Sequence, residues 1–228
     1  MGSTLDFDAF VLAAATADLG DEPAARAHAD AVEFRMDLAA DPLDALAAYD
    51  GALPLLATNR SSEEGGEADE TGRLAALRTA AEDDAVAAVD VELAALETPE
   101  GRRTAAHARD HGASVVASVH DFEGTPPVER LRDLLADAAG RGDVGKVAVT
   151  ATDRADALAL LEATHAADAA GHRVATMAMG AAGRHTRAVA PLYGSRVGYA
   201  PVDPAKATAP GQYDLASLAD LIDRLRAE

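Results

Sequence analysis

The chain lacks cysteine and tryptophan altogether, and its aromatic complement is four tyrosines and four phenylalanines. Without cysteine there is no disulfide framework, no thiolate nucleophile and no Cys-based zinc site, so any metal would rest on histidines and carboxylates. Positive charge is scarce too: 20 Lys and Arg stand against 39 Asp and Glu, a formal charge of −19. A surface of that sign repels phosphate backbones and anionic lipid, which argues against nucleic acid and membrane as partners. No apolar run approaches the ~20 residues of a membrane-spanning helix. Residues Met1 to Asp6 carry acid where a secretory signal carries Lys or Arg, so the expected location is the cytoplasm. Lysine is nearly absent as well, only Lys146 and Lys206 occurring among the basic residues. The excess of Ala, Asp, Glu and Arg fits either GC-rich coding bias or the acidic, hydrated surface of a salt-adapted protein, and the two-fold excess of acids over bases favours the second.

What is present is 49% hydrophobic residues, ample for a core. Short β-branched or apolar runs alternate about eight times with Ala/Leu-rich, charge-faced segments. The expected strands are 10–16, 31–38, 53–60, 87–93, 114–122, 144–151, 173–180 and 196–202. Leu215, Leu218, Leu221, Ile222 and Leu225 predict one apolar stripe on a last helix. Eight β/α units in this length predict an α/β fold of the (β/α)8 TIM-barrel type, one catalytic domain over residues 1–228. A doubly wound open sheet would carry a glycine-rich first turn, and the segment after Thr16 has none.

Strands of a parallel barrel are buried on both faces and should read as apolar throughout. Here they do not. The second expected strand places Glu33, Arg35 and Asp37 at period two, and the fourth places Asp90 and Glu92 likewise. The third ends in Arg60, the fifth in His120 and Asp121, and the sixth contains Lys146. Ions inside a barrel must pair or perform chemistry, and barrel active sites lie at the C-terminal strand ends. Lys146 is the most informative of them, because arginine stays protonated whereas lysine can be driven neutral by burial and neighbouring cations. A neutral amine attacks a ketone, and the resulting Schiff base is an electron sink. The alternative for Lys146 is a pair with Asp90 or Glu92 at the barrel mouth. His120, expected on the neighbouring strand, suits proton transfer beside such a lysine.

Other features read as structural. His107 and His111 are spaced i, i+4 as a metal pair would be, but they fall on an expected solvent-facing helix and no third ligand is apparent, so no metal site is expected. Arg184 and Arg187 follow the seventh strand, where they would hold an anion or bridge acidic helices. The segment 204–212 reads as a long eighth loop able to close over the mouth.

Taken in order, these residues resemble the type I 3-dehydroquinate dehydratase family. Glu33-Phe34-Arg35-Met36-Asp37 is similar to its Glu-x-Arg-x-Asp, and Thr58-Asn59-Arg60 with Glu64-Gly65-Gly66 to its Thr-x-Arg and Glu-Gly-Gly. Ser118-Val119-His120-Asp121 resembles the segment of the proton-shuttling histidine, and Gly145-Lys146-Val147-Ala148 that of the imine lysine. Met177-Ala178-Met179-Gly180, Thr186-Arg187 and Ala209-Pro210-Gly211-Gln212 are similar to the family's later motifs. Thr186 and Thr208 stand where the family has Ser, Ala178 replaces a serine and Tyr199 a phenylalanine.

The resemblance implies dehydration of 3-dehydroquinate through a Lys146 imine, with His120 as acid and base and Glu64 or Asp90 orienting it. It implies that Arg187 pairs the substrate carboxylate and that Glu33, Arg35, Arg60, Thr208 and Gln212 bind hydroxyls and close the site. No metal or organic cofactor is implied; a homodimer is. Two other readings remain: a class I aldolase, which would normally carry a phosphate cradle at strands seven and eight, and a catalytically silent barrel that binds a small anion.

Overall fold

In the computed structural model, residues 5–203, 205 and 211–227 are described. Eight strands run in chain order: β1 (Val11–Thr16), β2 (Ala31–Arg35), β3 (Leu55–Thr58), β4 (Val86–Glu92), β5 (Ser114–Asp121), β6 (Val144–Thr150), β7 (Val174–Met179) and β8 (Val197–Pro201). Every ladder is parallel, and the order β7-β6-β5-β4-β3-β2-β1-β8 is that of a barrel opened on paper between β7 and β8. A parallel bridge from Val174 to Ser195, just ahead of β8, brings the two ends together. The fold is the expected (β/α)8 barrel.

The helices are α1 (Glu22–Ala25), α2 (Pro42–Ala47), α3 (Arg73–Ala80), α4 (Leu93–Leu96), α5 (Pro99–Asp110), α6 (Val128–Arg141), α7 (Arg154–Ala169), α8 (Gly180–Gly183), α9 (Thr186–Val189) and α10 (Leu215–Arg226). Three of the long ones, α5, α7 and α10, start where a short polar side chain takes an otherwise orphaned backbone N–H, whereas α6 follows Pro127 without such a cap. Thr98 accepts from Gly101 ahead of α5, Asp153 closes a capping box with Asp156 ahead of α7, and Asp214 accepts from Ser217 ahead of α10. Leu215, Leu218 and Ile222 of α10 are buried against Leu12, Ala14 and Ala200. Leu225 is exposed, so the expected stripe stops one turn short of the helix end. No helix among the described residues is long and apolar enough to cross a membrane.

Alternation along the strands separates two environments. Outward side chains of the strands pack under the helices in three clusters, while Val11, Ala31, Leu56, Ala88, Val116, Val144, Ala175 and Val197 share the barrel interior. The inward residues two positions further on include Glu33, Thr58, Asp90, Ser118, Lys146, Met177 and Tyr199, all buried. Thus an apolar plug fills the N-terminal end of the lumen, and polar side chains begin directly above it.

Two strands, β2 and β3, differ from the expected ranges by more than one residue at an end. β2 ends at Arg35, because Met36–Leu38 forms a 3-10 turn, so Asp37 does not share the lumen face with Glu33 and Arg35. It turns back and grips Arg35 through two hydrogen bonds of 2.8 and 2.6 Å. β3 ends at Thr58, and Arg60 reaches the lumen from the loop beyond it.

Candidate active site

The C-terminal strand ends surround a cavity that is open to solvent and touches Glu33, Arg35, Thr58, Arg60, Glu64, His120, Lys146, Arg187, Tyr199 and Gln212. Lys146 lies at its floor with 4% of its side chain exposed, and it does not snorkel outward. The β5–β6 register puts Ser118 opposite Lys146 and His120 opposite Ala148, so the imidazole enters from the adjacent strand one inward position above the amine. Nζ of Lys146 donates to Oδ2 of Asp90 at 3.0 Å and sits 4.4 Å above the centre of the Tyr199 ring.

Asp90 is the hub of the floor. Its Oδ1 accepts from Ser118 Oγ at 2.6 Å and lies 2.8 Å from Nη2 of Arg60, while Oδ2 takes the lysine. Burial alone would raise its pKa, but the charges of Arg60 and Lys146 overcome that and hold it well below the usual carboxylate range. Arg60 also donates to Ser118 Oγ at 2.7 Å and lies 3.3 Å from Glu92. Glu92 in turn receives Arg73 at 2.7 Å and the backbone N–H of Ser61 at 3.0 Å. The buried charges of the floor are thus paired with one another, as the cost of an isolated ion in low dielectric demands.

Glu64 reaches the histidine because its loop folds back tightly. Gly65 adopts φ +78°, and a Cβ on Gly66 would collide with the carbonyl of Arg60. Oε2 of Glu64 lies 2.8 Å from Nδ1 of His120 and accepts the His120 backbone N–H at 3.1 Å. Burial, together with the neighbouring Glu92 and Asp90 charges, pushes the Glu64 carboxyl up to about 7 despite the opposing charge of Arg60. Burial, then Arg60 and Lys146, holds His120 well below its ordinary value, so the imidazole is neutral and able to accept a proton.

Arg187 is buried, and its Nε and Nη2 atoms have no hydrogen-bond partner among the described residues. Those two nitrogens form one edge of the guanidinium, the edge that grips a carboxylate bidentately. Burial lowers this group to about 10. The cavity wall thus presents Arg35, Arg60, Lys146 and Arg187 beside Glu33 and Glu64, with Asp90 and Asp37 paired to three of the four cations.

The family model for type I 3-dehydroquinase matches residues 11–227. The chain belongs to that family. Among its relatives, the 3-dehydroquinate dehydratase of Haloarcula marismortui is 60% identical, the match covering 98% of this chain and 100% of the relative. That of Halobacterium salinarum is 56% identical over 97% of this chain and 100% of its own length. A crystal structure of 3-dehydroquinate dehydratase from Geobacillus kaustophilus HTA426 superposes with a TM-score of 0.83 at 28% identity, covering 95% of this chain and 91% of that one.

Of the residues expected from sequence in this type I 3-dehydroquinase, the cavity brings together Lys146, His120, Glu64, Glu33, Arg35, Arg60, Arg187 and Gln212. Thr208 lies outside the described residues, as does most of the eighth loop. Between the two candidates for orienting His120, the hydrogen bonds select Glu64; Asp90 holds Lys146 instead. Its position on the lumen face was readable in sequence, and of the two acids expected as alternatives for Lys146 the structure selects Asp90. Thr186, which replaces the family's serine, spends its hydroxyl on backbone: it accepts from Ala178 N–H and donates to the Gly183 carbonyl. Arg184 stacks on the Tyr213 ring at 3.9 Å. Tyr199 keeps an aromatic face over the lysine, while its buried hydroxyl has no partner among the described residues.

Proposed function

We propose that Lys146 forms a Schiff base with the C3 ketone of 3-dehydroquinate and that His120 moves the protons of its dehydration to 3-dehydroshikimate. Membership of the type I 3-dehydroquinase family makes the chain an enzyme, a 3-dehydroquinate dehydratase of the shikimate pathway. The observation that carries the mechanism is the placement of Lys146, a buried amine at the floor of the cavity that also holds a neutral imidazole.

The amine nitrogen of Lys146 attacks C3, and the carbonyl oxygen leaves as water after two proton transfers, one of them through His120. The protonated imine that results is positive, and Asp90, held as a carboxylate, is its counter-ion at the position where it now pairs with Nζ. His120 takes the C2 proton, the C–H electron pair flows to the iminium nitrogen, and an enamine forms. His120 then returns its proton to the departing C1 hydroxyl, which leaves as water as the enamine electrons form the C1–C2 double bond. Hydrolysis of the conjugated imine frees the product and the amine. Glu64 orients the imidazole through Nδ1 and shares its charge. Arg187 grips the substrate carboxylate, and Glu33, Arg35, Arg60 and Gln212 meet the ring hydroxyls.

The test is incubation with 3-dehydroquinate and borohydride, followed by peptide mapping. A reduced adduct on Lys146 together with appearance of the conjugated enone is expected, and Lys146→Ala loses both. Turnover without any adduct, or near-normal turnover by Lys146→Ala, overturns the mechanism.

A further inference from the structure

The sequence offered His107 and His111 as an i, i+4 pair without a third ligand, and the fold supplies one. The turn after α3 brings Glu82 against α5, so that Oε1 of Glu82 lies 3.0 Å from Nε2 of His107. One donor atom from each of Glu82, His107 and His111 lies within 4.8 Å of the other two. We propose that these three side chains form a surface site for one divalent transition-metal ion of the zinc class, at the end of the barrel opposite the catalytic cavity.

Four features of the site suit such an ion. The donor set of two imidazoles and one carboxylate matches borderline cations such as Zn2+, Co2+ and Ni2+, with the fourth position left to water. Nδ1 of His111 lies 2.9 Å from the His107 carbonyl, and donating its N–H there leaves the lone pair on Nε2. That bond is the kind of outer contact that fixes the tautomer of a metal-bound histidine. The 3.0 Å separation of Glu82 and His107 is close to the ~3.3 Å between two donors on a tetrahedral ion with bonds of about 2.0 Å, so a metal can replace the bridging proton with little movement. Finally, His111 caps the C-terminus of α5, where the helix dipole favours positive charge.

The scaffold is formed without the ion. Arg78 of α3 donates to Thr104 of α5 at 2.9 Å, which holds the two helices in place. Glu82 precedes β4 and His111 precedes β5, so the site lies at the N-terminal strand ends, the face of a barrel associated with stability rather than catalysis. Bound metal would tie the α3–β4 turn to the end of α5. It stabilises the folded chain by mass action and leaves the chemistry at the mouth untouched.

Equilibrium dialysis of untagged protein against Zn2+, with Co2+ absorption spectra to report ligation, tests the site. One equivalent per chain is expected, together with a higher melting temperature that chelator reverses. Each of His107→Ala, His111→Ala and Glu82→Gln should weaken binding by roughly tenfold or more and abolish the thermal shift, with unchanged dehydratase turnover. Failure of the wild type to take up an equivalent from excess Zn2+ overturns the proposal. So does equal affinity in the His107→Ala/His111→Ala double variant.

Discussion

A single oxygen of Glu64 meets His120 twice, 3.1 Å from its backbone N–H and 2.8 Å from its ring Nδ1. One carboxylate therefore fixes both the main chain and the ring of the proposed proton carrier. Because Glu64 is pushed up to about 7, it gains a proton as the pH falls through neutrality, and the histidine loses its anionic partner. The rate should decline on the acid side through an apparent pKa near 7 that belongs to the pair. Glu64→Gln removes the titrating acid. With no carboxylate to favour imidazolium, His120 is left to burial, Arg60 and Lys146, all of which oppose its protonation. A pH–rate profile of the variant should show lower kcat and an acid limb moved to lower pH; an unmoved limb would assign the wild-type transition elsewhere.

Asp90 neutralises Lys146 and Arg60 together. Asp90→Asn preserves volume but takes the carboxylate from two buried cations, leaving Arg60 with Glu92 at 3.3 Å and Glu64 at 3.9 Å. Chemical denaturation should register a loss of about 3–5 kcal/mol, the range for breaking a buried pair from one side. A loss below about 1 kcal/mol would mean that the floor is wetter than its burial implies.

Arg187 can be removed without leaving an acid unpaired, since Nε and Nη2 bind nothing among the described residues. Arg187→Ala should therefore fold normally and lose about 10- to 100-fold in kcat/KM, the worth of a charge-assisted hydrogen bond. Arg187→Lys keeps the charge without the fork and should recover only part of the loss. Steady-state kinetics on both variants decides this, and unchanged kcat/KM in Arg187→Ala would remove it from carboxylate binding.

The relatives from Haloarcula and Halobacterium give context to the charge of −19. Repulsion among exposed acids is screened within ~3 Å at molar salt. Melting temperature should accordingly climb from dilute buffer to molar potassium chloride, and a curve flat across that range would return the acidic composition to coding bias.

The barrel and most of its cavity were legible because a lumen face has period two and tolerates no unexplained ion. Glu33, Asp90 and Lys146 break apolar strands at inward positions, and that breach is visible in one dimension. What could not be read depends on turns and on distant contacts. Asp37 left the lumen because three residues closed a 3-10 turn. The choice of Glu64 over Asp90 for His120 hangs on how Gly65 and Gly66 reverse the chain. The partners of the Thr186 hydroxyl, the backbone groups of Ala178 and Gly183, likewise come from the fold around it. Glu82 joined His107 and His111 only through the packing of α3 on α5, which no local spacing encodes.

The ions inside the barrel answer to one another, and the acids outside answer to the solvent. The ionic circuit of Lys146, Asp90, Arg60, Glu92 and Arg73 runs through buried groups and meets the surface where Arg73 also pairs with the exposed Glu70. Ecological tuning and reactivity are consequently separable traits in this architecture. A lineage, or a designer, can repaint the exterior for fresh water or for brine while handing down the interior unaltered.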